Sequence, residues 1–467
     1  GGRCLQPPYR NAIFAGYMPA PAAVSSGEAS RTRPHQPWGT PGVLRFVLYF
    51  LAELLSQFPE MVRLRFARAA ERARRAGEVR DPVVLCVSDN LDEVNGIALA
   101  SRIQLRELRR MGHDAWLFGP AFHTRRPRRE GADDRMILAP GRFSMDQAGY
   151  AQSELVVLRL KSFLDFLRAH PVDVIEFETP GPVSSLCLIV AKVAGITTMS
   201  HYRTDIIVYS DLLMKNRVGK RLVQLWTRVF TRLAGPVIVP SEAYRDKVAA
   251  MNVPAARIRK LPRGVDLEFF RPGLRDPATW ERFGIPDDGP RLLYVGRVSV
   301  EKNLAALADA FLEALKTRPD LRLIVVGDGP YLEEMKAVLQ PCGRAHFTGV
   351  LRDGTLARAF ASADLFVFPS LADTFGNSVV EALASGLPCL VSDRGGPQEI
   401  IVPGVCGTVF RHDEPGALTR AMLAMVNDPD RLEAWREPAR TRALEFSYAA
   451  AAQAFWDFYV ETWTQRL

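Results

Sequence analysis

The sequence predicts an α/β protein of two doubly wound, Rossmann-like domains facing a cleft, preceded by a helical extension. Three observations carry this expectation. The chain has 467 residues, more than one compact domain usually holds. From Asp81 onward, short apolar runs alternate with amphipathic stretches; the alternation stops once, at a Pro- and Gly-rich segment, and then restarts. An apolar share of 48% beside a charged share of 24% gives each half enough material for its own core.

Residues 1 to about 40 are rich in Pro, Gly, Ser and Ala without periodicity, which reads as an irregular tail lacking the order of a signal peptide. VLRFVLYFLAELLSQF (Val43 to Phe58) then gives a strongly apolar helix, followed by the basic stretch MVRLRFARAAERARRAGEVR. Two readings of this extension stay open. It packs on the main body, or it lies in a membrane interface with Arg63, Arg65, Arg68, Arg72, Arg74 and Arg75 facing anionic lipid.

After Asp81, PVVLCVSD is a buried strand and GIALASRIQLRELRRMG an amphipathic helix. HDAWLFGP, VDVIEFET and ITTMSHYRTD continue as strands; a long helix around LVQLWTRVFTRLAG leads to PVIVPSE and IRKLPRGVD. Parallel strands covered on both faces have this short, apolar character. RPGLRDPATWERFGIPDDGP (Arg271 to Pro290) reads as the interdomain linker. Beyond it stand RLLYVGRV, LRLIVVGDGP, AHFTGVL, DLFVFPS, PCLVSD and GTVF, with helices between. The final FSYAAAAQAFWDFYVETW is one helix whose aromatics dock it on the first domain. The expected divisions are therefore 1–80, 81–270 completed by 447–467, and 271–446. Ligands of such sheets lie in the cleft beyond the strand C-termini.

A net charge of +8 suits anionic partners: nucleic acid, acidic lipid or phosphorylated substrates. The basic residues gather in the extension and in TRRPRRE (Thr124 to Glu130) without aromatics at a known module's spacing, so nucleic acid is not expected. Cys4, Cys86, Cys187, Cys342, Cys389 and Cys406 form no CxxC pair, which points to reduced thiols and a cytoplasmic location. No run of about 20 uncharged apolar residues predicts a membrane-spanning helix. A nicotinamide-dependent dehydrogenase is excluded because VVGDGP (Val325 to Pro330) is not GxGxxG with a downstream acid.

The densest chemical cluster is FVFPSLADTFGNSVVEALASGLPCLVSDRGGPQEII. Asp373 and Glu381 flank Phe375, Gly376 and Asn377 at the start of a helix, whose free N–H groups suit phosphate or sugar oxygens. Either the two carboxylates grip a sugar and a ribose, or Asp373 caps the helix and Glu381 faces solvent. In YVGRVSVEKNL, Arg297 and Lys302 follow a strand and precede a helix. They either neutralise a leaving diphosphate or are ordinary surface bases. Gly96 lies between the first strand and its helix, where it lets backbone approach a phosphate or simply makes a tight turn. His201, Tyr202, Arg203, Thr204 and Asp205 end another strand, with His201, Arg203 and Asp205 as acceptor-side candidates and a core histidine as the alternative.

Taken in order, NGI, HYRTD, PSE, RGVD, VGRVSVEKN, GDGP, HFTG, FPS, DTFGNSVVEALASG and GGPQE resemble glycosyltransferase family 4, of the retaining GT-B fold, over Asp81 to the C-terminus. Within it the sequence looks nearest the branch of GDP-mannose α-mannosyltransferases and sugar–diacylglycerol synthases. The resemblance implies transfer of a hexose from a nucleotide-diphosphate sugar to a lipid-linked or other hydroxyl acceptor. It implies that Arg297 and Lys302 bind the diphosphate with Gly96, that Glu381 holds the ribose, and that Asp373 contacts the sugar beside Phe375–Asn377. Asp353, in GVLRD, lies where some members read guanine. No metal or other cofactor is implied, and no DxD motif stands in the cleft-lining segments. Two departures stand out: Asp373 occupies a position usually Glu, and Arg203 one usually His, where its planar fork suits an anionic acceptor. A nucleotide-sugar 2-epimerase and a non-catalytic nucleotide-sugar-binding subunit are the alternatives of the same architecture. Attachment to an anionic cytosolic membrane face through the extension accompanies the lipid-acceptor reading.

Overall fold

The computed structural model describes residues 40–75, 78, 80–91, 96–121, 134–146, 154–203, 206–207, 210 and 216–465. The basic run 124–130 and Asp205 lie outside these residues, as does Cys4. Of the described residues, those within 40–239, 245–261 and 452–465 form an N-terminal unit, and those within 240–244 and 262–451 a C-terminal unit.

The N-terminal unit runs α1 (Thr40–Arg74), β1 (Val84–Val87), α2 (Gly96–Arg110), β2 (Ala115–Ala121), β3 (Met136–Asp146), β4 (Glu154–Leu158), α3 (Leu160–Ala169) and β5 (Val174–Phe177). It continues with α4 (Pro182–Ala194), β6 (Thr197–His201), α5 (Arg217–Ala234), β7 (Val237–Val239), α6 (Glu242–Ala249) and β8 (Ile258–Lys260). Among the described residues its eight strands form one sheet in the order β4-β3-β2-β1-β5-β6-β7-β8. Only β3 and β4, among the described residues, pair antiparallel. Because side chains alternate across a strand, the sheet divides two cores. Leu85, Val87, Phe118, Ile175 and Phe177 face one with α3 and α4. Val84, Cys86, Leu117 and Val174 face the other with Leu105 and Leu108 of α2.

Two chemical details explain why α1 is held. Glu53 is buried and accepts from Leu160 N–H at 3.0 Å, at the start of α3, which has no side-chain cap of its own. Arg68, also buried, donates to the carbonyls of Leu167 (3.0 Å), His170 (2.9 Å) and Val172 (2.7 Å) at the other end of α3. A carboxylate therefore meets the positive end of α3's dipole and a guanidinium its negative end. With Met61 and Leu64 in the core, α1 is part of the unit, which favours the packed reading of the extension. Arg68 and Arg72, counted among the lipid-facing arginines in the interfacial reading, instead bond backbone carbonyls. Among the described residues no helix is long and apolar enough to cross a membrane.

The C-terminal unit contains β9 (Arg291–Val295), α7 (Leu304–Leu315), β10 (Arg322–Val326), α8 (Leu332–Leu339), β11 (Ala345–Gly349), α9 (Asp353–Ser362) and β12 (Leu365–Phe368). Then follow α10 (Asn377–Ala384), β13 (Cys389–Ser392), α11 (Pro397–Ile400), β14 (Gly407–Phe410), α12 (Ala417–Val426), α13 (Pro429–Ala434), α14 (Arg436–Leu444) and α15 (Tyr448–Thr464). Its six parallel strands take the order β11-β10-β9-β12-β13-β14, so the winding reverses between β9 and β12. The crevice at such a reversal is where doubly wound sheets bind ligands.

The segment read as a linker from Arg271 to Pro290 is packed into this unit. Trp280 is fully buried and its indole donates to Ser362 O at 2.9 Å. The chain enters the unit earlier, at Pro262. Val265 N–H donates to Phe446 O at 2.7 Å, which ties this entry to the end of the unit. From Ala452 onward α15 belongs to the N-terminal unit, with Phe455, Trp456, Phe458 and Tyr459 in the core beside α2. Cys86, Cys187, Cys342, Cys389 and Cys406 are free thiols.

Candidate functional site

In the C-terminal unit the loops after β9, β12 and β13 converge at the strand reversal. Glycine permits the approach of the β9 and β10 turns: a Cβ on Gly327 would lie 1.9 Å from Gly296 O. Gly296 N–H donates to Val326 O at 3.0 Å and Val298 N–H to Asp328 O at 3.0 Å, so the two turns zip together. Between them Arg297 is left exposed, while its carbonyl accepts from the buried Tyr294 hydroxyl at 2.8 Å. Lys302 closes the next short turn and reaches across to β12's loop. Its Nζ donates to Asp373 Oδ2 at 2.7 Å and lies 5.8 Å from the centre of the Phe368 ring. Both side chains of this pair are about four-fifths buried, at 19% and 20% exposure.

The Asp373 loop rests on the two glycines after β13. Gly396 N–H donates to Asp373 O at 2.9 Å. A Cβ on Gly395 would come within 2.4 Å of Asp373 O, and one on Gly396 within 2.4 Å of Thr374 O. Only bare backbone fits here. The loop delivers Phe375 (buried), Gly376 and Asn377 (exposed) to the start of α10. Gly376 is the N-cap, at φ 104°, and no side chain caps the helix. Asp373 is thus an ion-pair partner of Lys302 and not the helix cap, and the first turn keeps its capacity for an anionic or hydroxyl ligand.

One turn further along α10, Glu381 is half-buried, and its carboxylate has neither a hydrogen-bond nor an ion-pair partner among the described residues. Burial pushes its pKa up from 4.5 to about 7. A desolvated carboxylate without a donor is an acceptor for ligand hydroxyls. Asp353 stands apart: it is exposed, at φ 51°, and begins α9 after the edge strand β11. Its strand is separated from β9 by β10.

In the N-terminal unit Gly96 is the first residue of α2; residues 92–95 before it lie outside the described ones. His201 and Arg203 do come together, but in the interior, at 1% and 2% side-chain exposure. His201 Nδ1 lies 3.0 Å from Glu176 Oε1. The Arg203 guanidinium reaches Glu178 Oε1 at 3.0 Å and donates to Gln104 Oε1 at 2.9 Å. Burial opposes the Arg203 charge, yet Glu178 and Glu176 more than offset it and hold its pKa above the ordinary value. Burial raises the Glu178 pKa, with Arg203 acting against it. Tyr459 of α15 donates to Glu176 and accepts from Gln104 Nε2 at 2.6 Å.

The Arg203 fork expected to take an anionic acceptor is therefore engaged by interior carboxylates. Glu176 and Glu178 are not among the residues the sequence singles out, although two carboxylates in the apolar run VIEFET signal that charge is buried there. A small cavity lies against this network, lined by Glu178, Ser200, His201, Arg203, Thr227 and Phe230.

The model of the family described as Glycosyltransferase Family 4 matches residues 94–269, and that described as Glycosyl transferases group 1 matches residues 277–442. A GDP-mannose-dependent alpha-mannosyltransferase of Mycolicibacterium smegmatis is 31% identical over 336 residues, 71% of this chain and 84% of the relative. The alpha-monoglucosyldiacylglycerol synthase of Streptococcus pneumoniae is 27% identical over 342 residues, 71% of this chain and 76% of the relative. Among solved structures, a sucrose-phosphate synthase from Thermosynechococcus elongatus superimposes with a TM-score of 0.64 at 20% identity, covering 83% of this chain and 100% of that one. That likeness is one of fold. Two doubly wound units, the motif order and these matches lead to one assignment: the chain belongs to glycosyltransferase family 4 and is a glycosyltransferase of the GT-B fold.

Proposed function

We propose that this glycosyltransferase moves a hexose of the mannose or glucose type from a nucleotide-diphosphate sugar to a hydroxyl of a lipid-linked acceptor, with retention at the anomeric carbon. The observation that carries the reading is the Lys302–Asp373 pair beside an uncapped helix start, at the strand reversal of the C-terminal unit. A diphosphate needs fixed positive charge, which Lys302 and the exposed Arg297 supply. Asp373, released from Lys302 as the diphosphate takes that cation, accepts from hydroxyls of the donor sugar. The Phe375–Asn377 backbone flanks the sugar, and Glu381 accepts from the ribose. Gly96 adds backbone N–H to the diphosphate, and Asp353 contributes to reading the base.

In the chemical step the bond from the anomeric carbon to the phosphate oxygen breaks and the acceptor oxygen bonds to that carbon on the same face. The acceptor proton passes to the leaving phosphate oxygen. Stabilising the charge that develops on the diphosphate is then the main task, and two cations perform it without a metal. GDP-mannose is supported as donor by the mannosyltransferase relatives, and a glycerolipid acceptor by the diacylglycerol synthase relative. Leu48, Leu51, Leu55 and Phe58 of α1, exposed beside its basic second half, support work at an anionic, cytosol-facing membrane surface.

Thermal-shift measurement against GDP, UDP, ADP and their sugar conjugates, without metal, tests the donor reading, since a ligand selective for the native state raises the melting temperature. A shift with GDP and GDP-mannose is expected. No shift with any nucleotide overturns the donor-site assignment.

A further inference from the structure

We infer that helix α5 is a second lipid-docking element, one that seats the N-terminal unit on an anionic phospholipid surface. This rests on the lipid-acceptor reading only for its purpose; the observations come from α5 itself. An ordinary surface helix turns its apolar stripe inward. Helix α5 does the reverse. The residues it buries are Thr227, Phe230, Thr231 and Ala234, three of them small. Apart from Phe230, its largest apolar residues point outward: Val218 is 67% exposed, Leu222 61%, Leu225 57%, Leu233 54% and Trp226 37%. Positions 218, 222, 225, 226 and 233 recur at helical spacing and form one continuous stripe.

Beside that stripe the same periodicity places Arg217, Arg221, Arg228 and Arg232, all exposed. No acidic residue occurs between Arg217 and Ala234. An apolar stripe edged by arginines matches the interface of an acidic bilayer, where aliphatic side chains enter the acyl boundary and guanidinium groups meet the phosphates. Trp226 fits the same depth: its indole N–H donates to Pro180 O at 3.1 Å and fixes the ring at the edge of the stripe. The charge pattern also decides between occupants. A second copy seated on this face would bring two rows of arginines together, whereas anionic headgroups neutralise them.

The test is flotation of the full chain with vesicles of phosphatidylglycerol and phosphatidylcholine, against phosphatidylcholine alone. Binding is expected only with the anionic lipid, weakening as salt rises. The double variant Leu222→Glu, Leu225→Glu should lower partitioning by about tenfold or more, with melting temperature and GDP thermal shift unchanged. Should that variant fail to fold, quenching by brominated phospholipid answers the question in the native fold. The native chain should be quenched more strongly than Trp226→Phe. Three results overturn the proposal: undiminished flotation of the Leu222/Leu225 variant, loss of flotation only on substituting Leu51 and Leu55 of α1, or a lipid-free dimer that the Leu222/Leu225 variant dissolves. Failure of the GDP shift alone would count against the donor site and leave this surface standing.

Discussion

Replacing Glu381 with Gln removes a charge that the folded chain holds at a cost. Its carboxyl titrates at about 7 in the fold against an ordinary value of 4.5, because burial disfavours the ionised form. Below pH 4.5 the group is neutral folded and unfolded, and nothing is lost. Between the two values the folded state binds more protons than the unfolded one, so stability falls as pH rises, and above pH 7 the loss is complete. At about 1.36 kcal/mol for each tenfold change in proton affinity, the full penalty is about 3.4 kcal/mol. Water reaches part of the side chain, which reduces this to roughly 2 kcal/mol. Gln imitates the neutral carboxyl at every pH. At pH 8 the variant should therefore melt higher, by roughly 4–8 °C in the transition of the C-terminal unit. At pH 5 the gain should shrink to below about 1 kcal/mol. Nucleotide binding should move the other way: without a charged acceptor for the ribose hydroxyls, GDP affinity should drop about tenfold at pH 8. Calorimetric melts at pH 5 and 8, paired with titration calorimetry, read both quantities. A melting difference independent of pH, or undiminished GDP affinity, would refute the reasoning.

Three further perturbations have definite outcomes. Lys302→Ala should weaken nucleotide-sugar binding about tenfold or more, because it removes a cation and leaves Asp373 unpaired; unchanged binding by titration calorimetry would remove Lys302 from the site. Gly396→Ala puts a Cβ 2.7 Å from the Phe375 Cα and 2.4 Å from Thr374 O. Backbone must shift, so kcat should fall about tenfold or more while the N-terminal unit melts as before; wild-type turnover would count against loop positioning. Arg68→Met deprives three carbonyls of their donor and should destabilise the N-terminal unit by about 2–4 kcal/mol. Hydrogen exchange in α3 that stays as slow as in the native chain would show that the cap is dispensable.

Much of this architecture was legible in the residues because the signals are local. A strand buried on both faces must be a short apolar run, and VLCV, VIEF, LFVF and CLVS are such runs. The glycines at 376, 395 and 396 announce tight backbone before any fold is known, and the structure shows what each makes room for. Less legible was the linker, where Pro and Gly suggested an open connection. Trp280 within it is a core residue, and only the cavity it fills between α9 and its own short turns reveals that.

Arg203 shows the limit most clearly. A strand-end arginine looks like an anion receptor until Glu176 of β5, Glu178 just after it and Gln104 of α2 are brought beside it. Those partners lie far away in the chain, and strand order alone makes them neighbours. The same holds for Lys302 and Asp373, joined because β12 pairs with β9 and not with its sequence neighbour β11.

Local chemistry in the sequence by itself determined the alternation of elements, the glycine turns and the presence of carboxylates and cations near strand ends. Tertiary structure decided which charge meets which, which helix face stays in water, and that α1 caps both ends of α3. The physical reason is that propensity and periodicity act within a few residues, whereas ion pairing, desolvation and burial depend on groups that only the completed sheets bring within bonding distance.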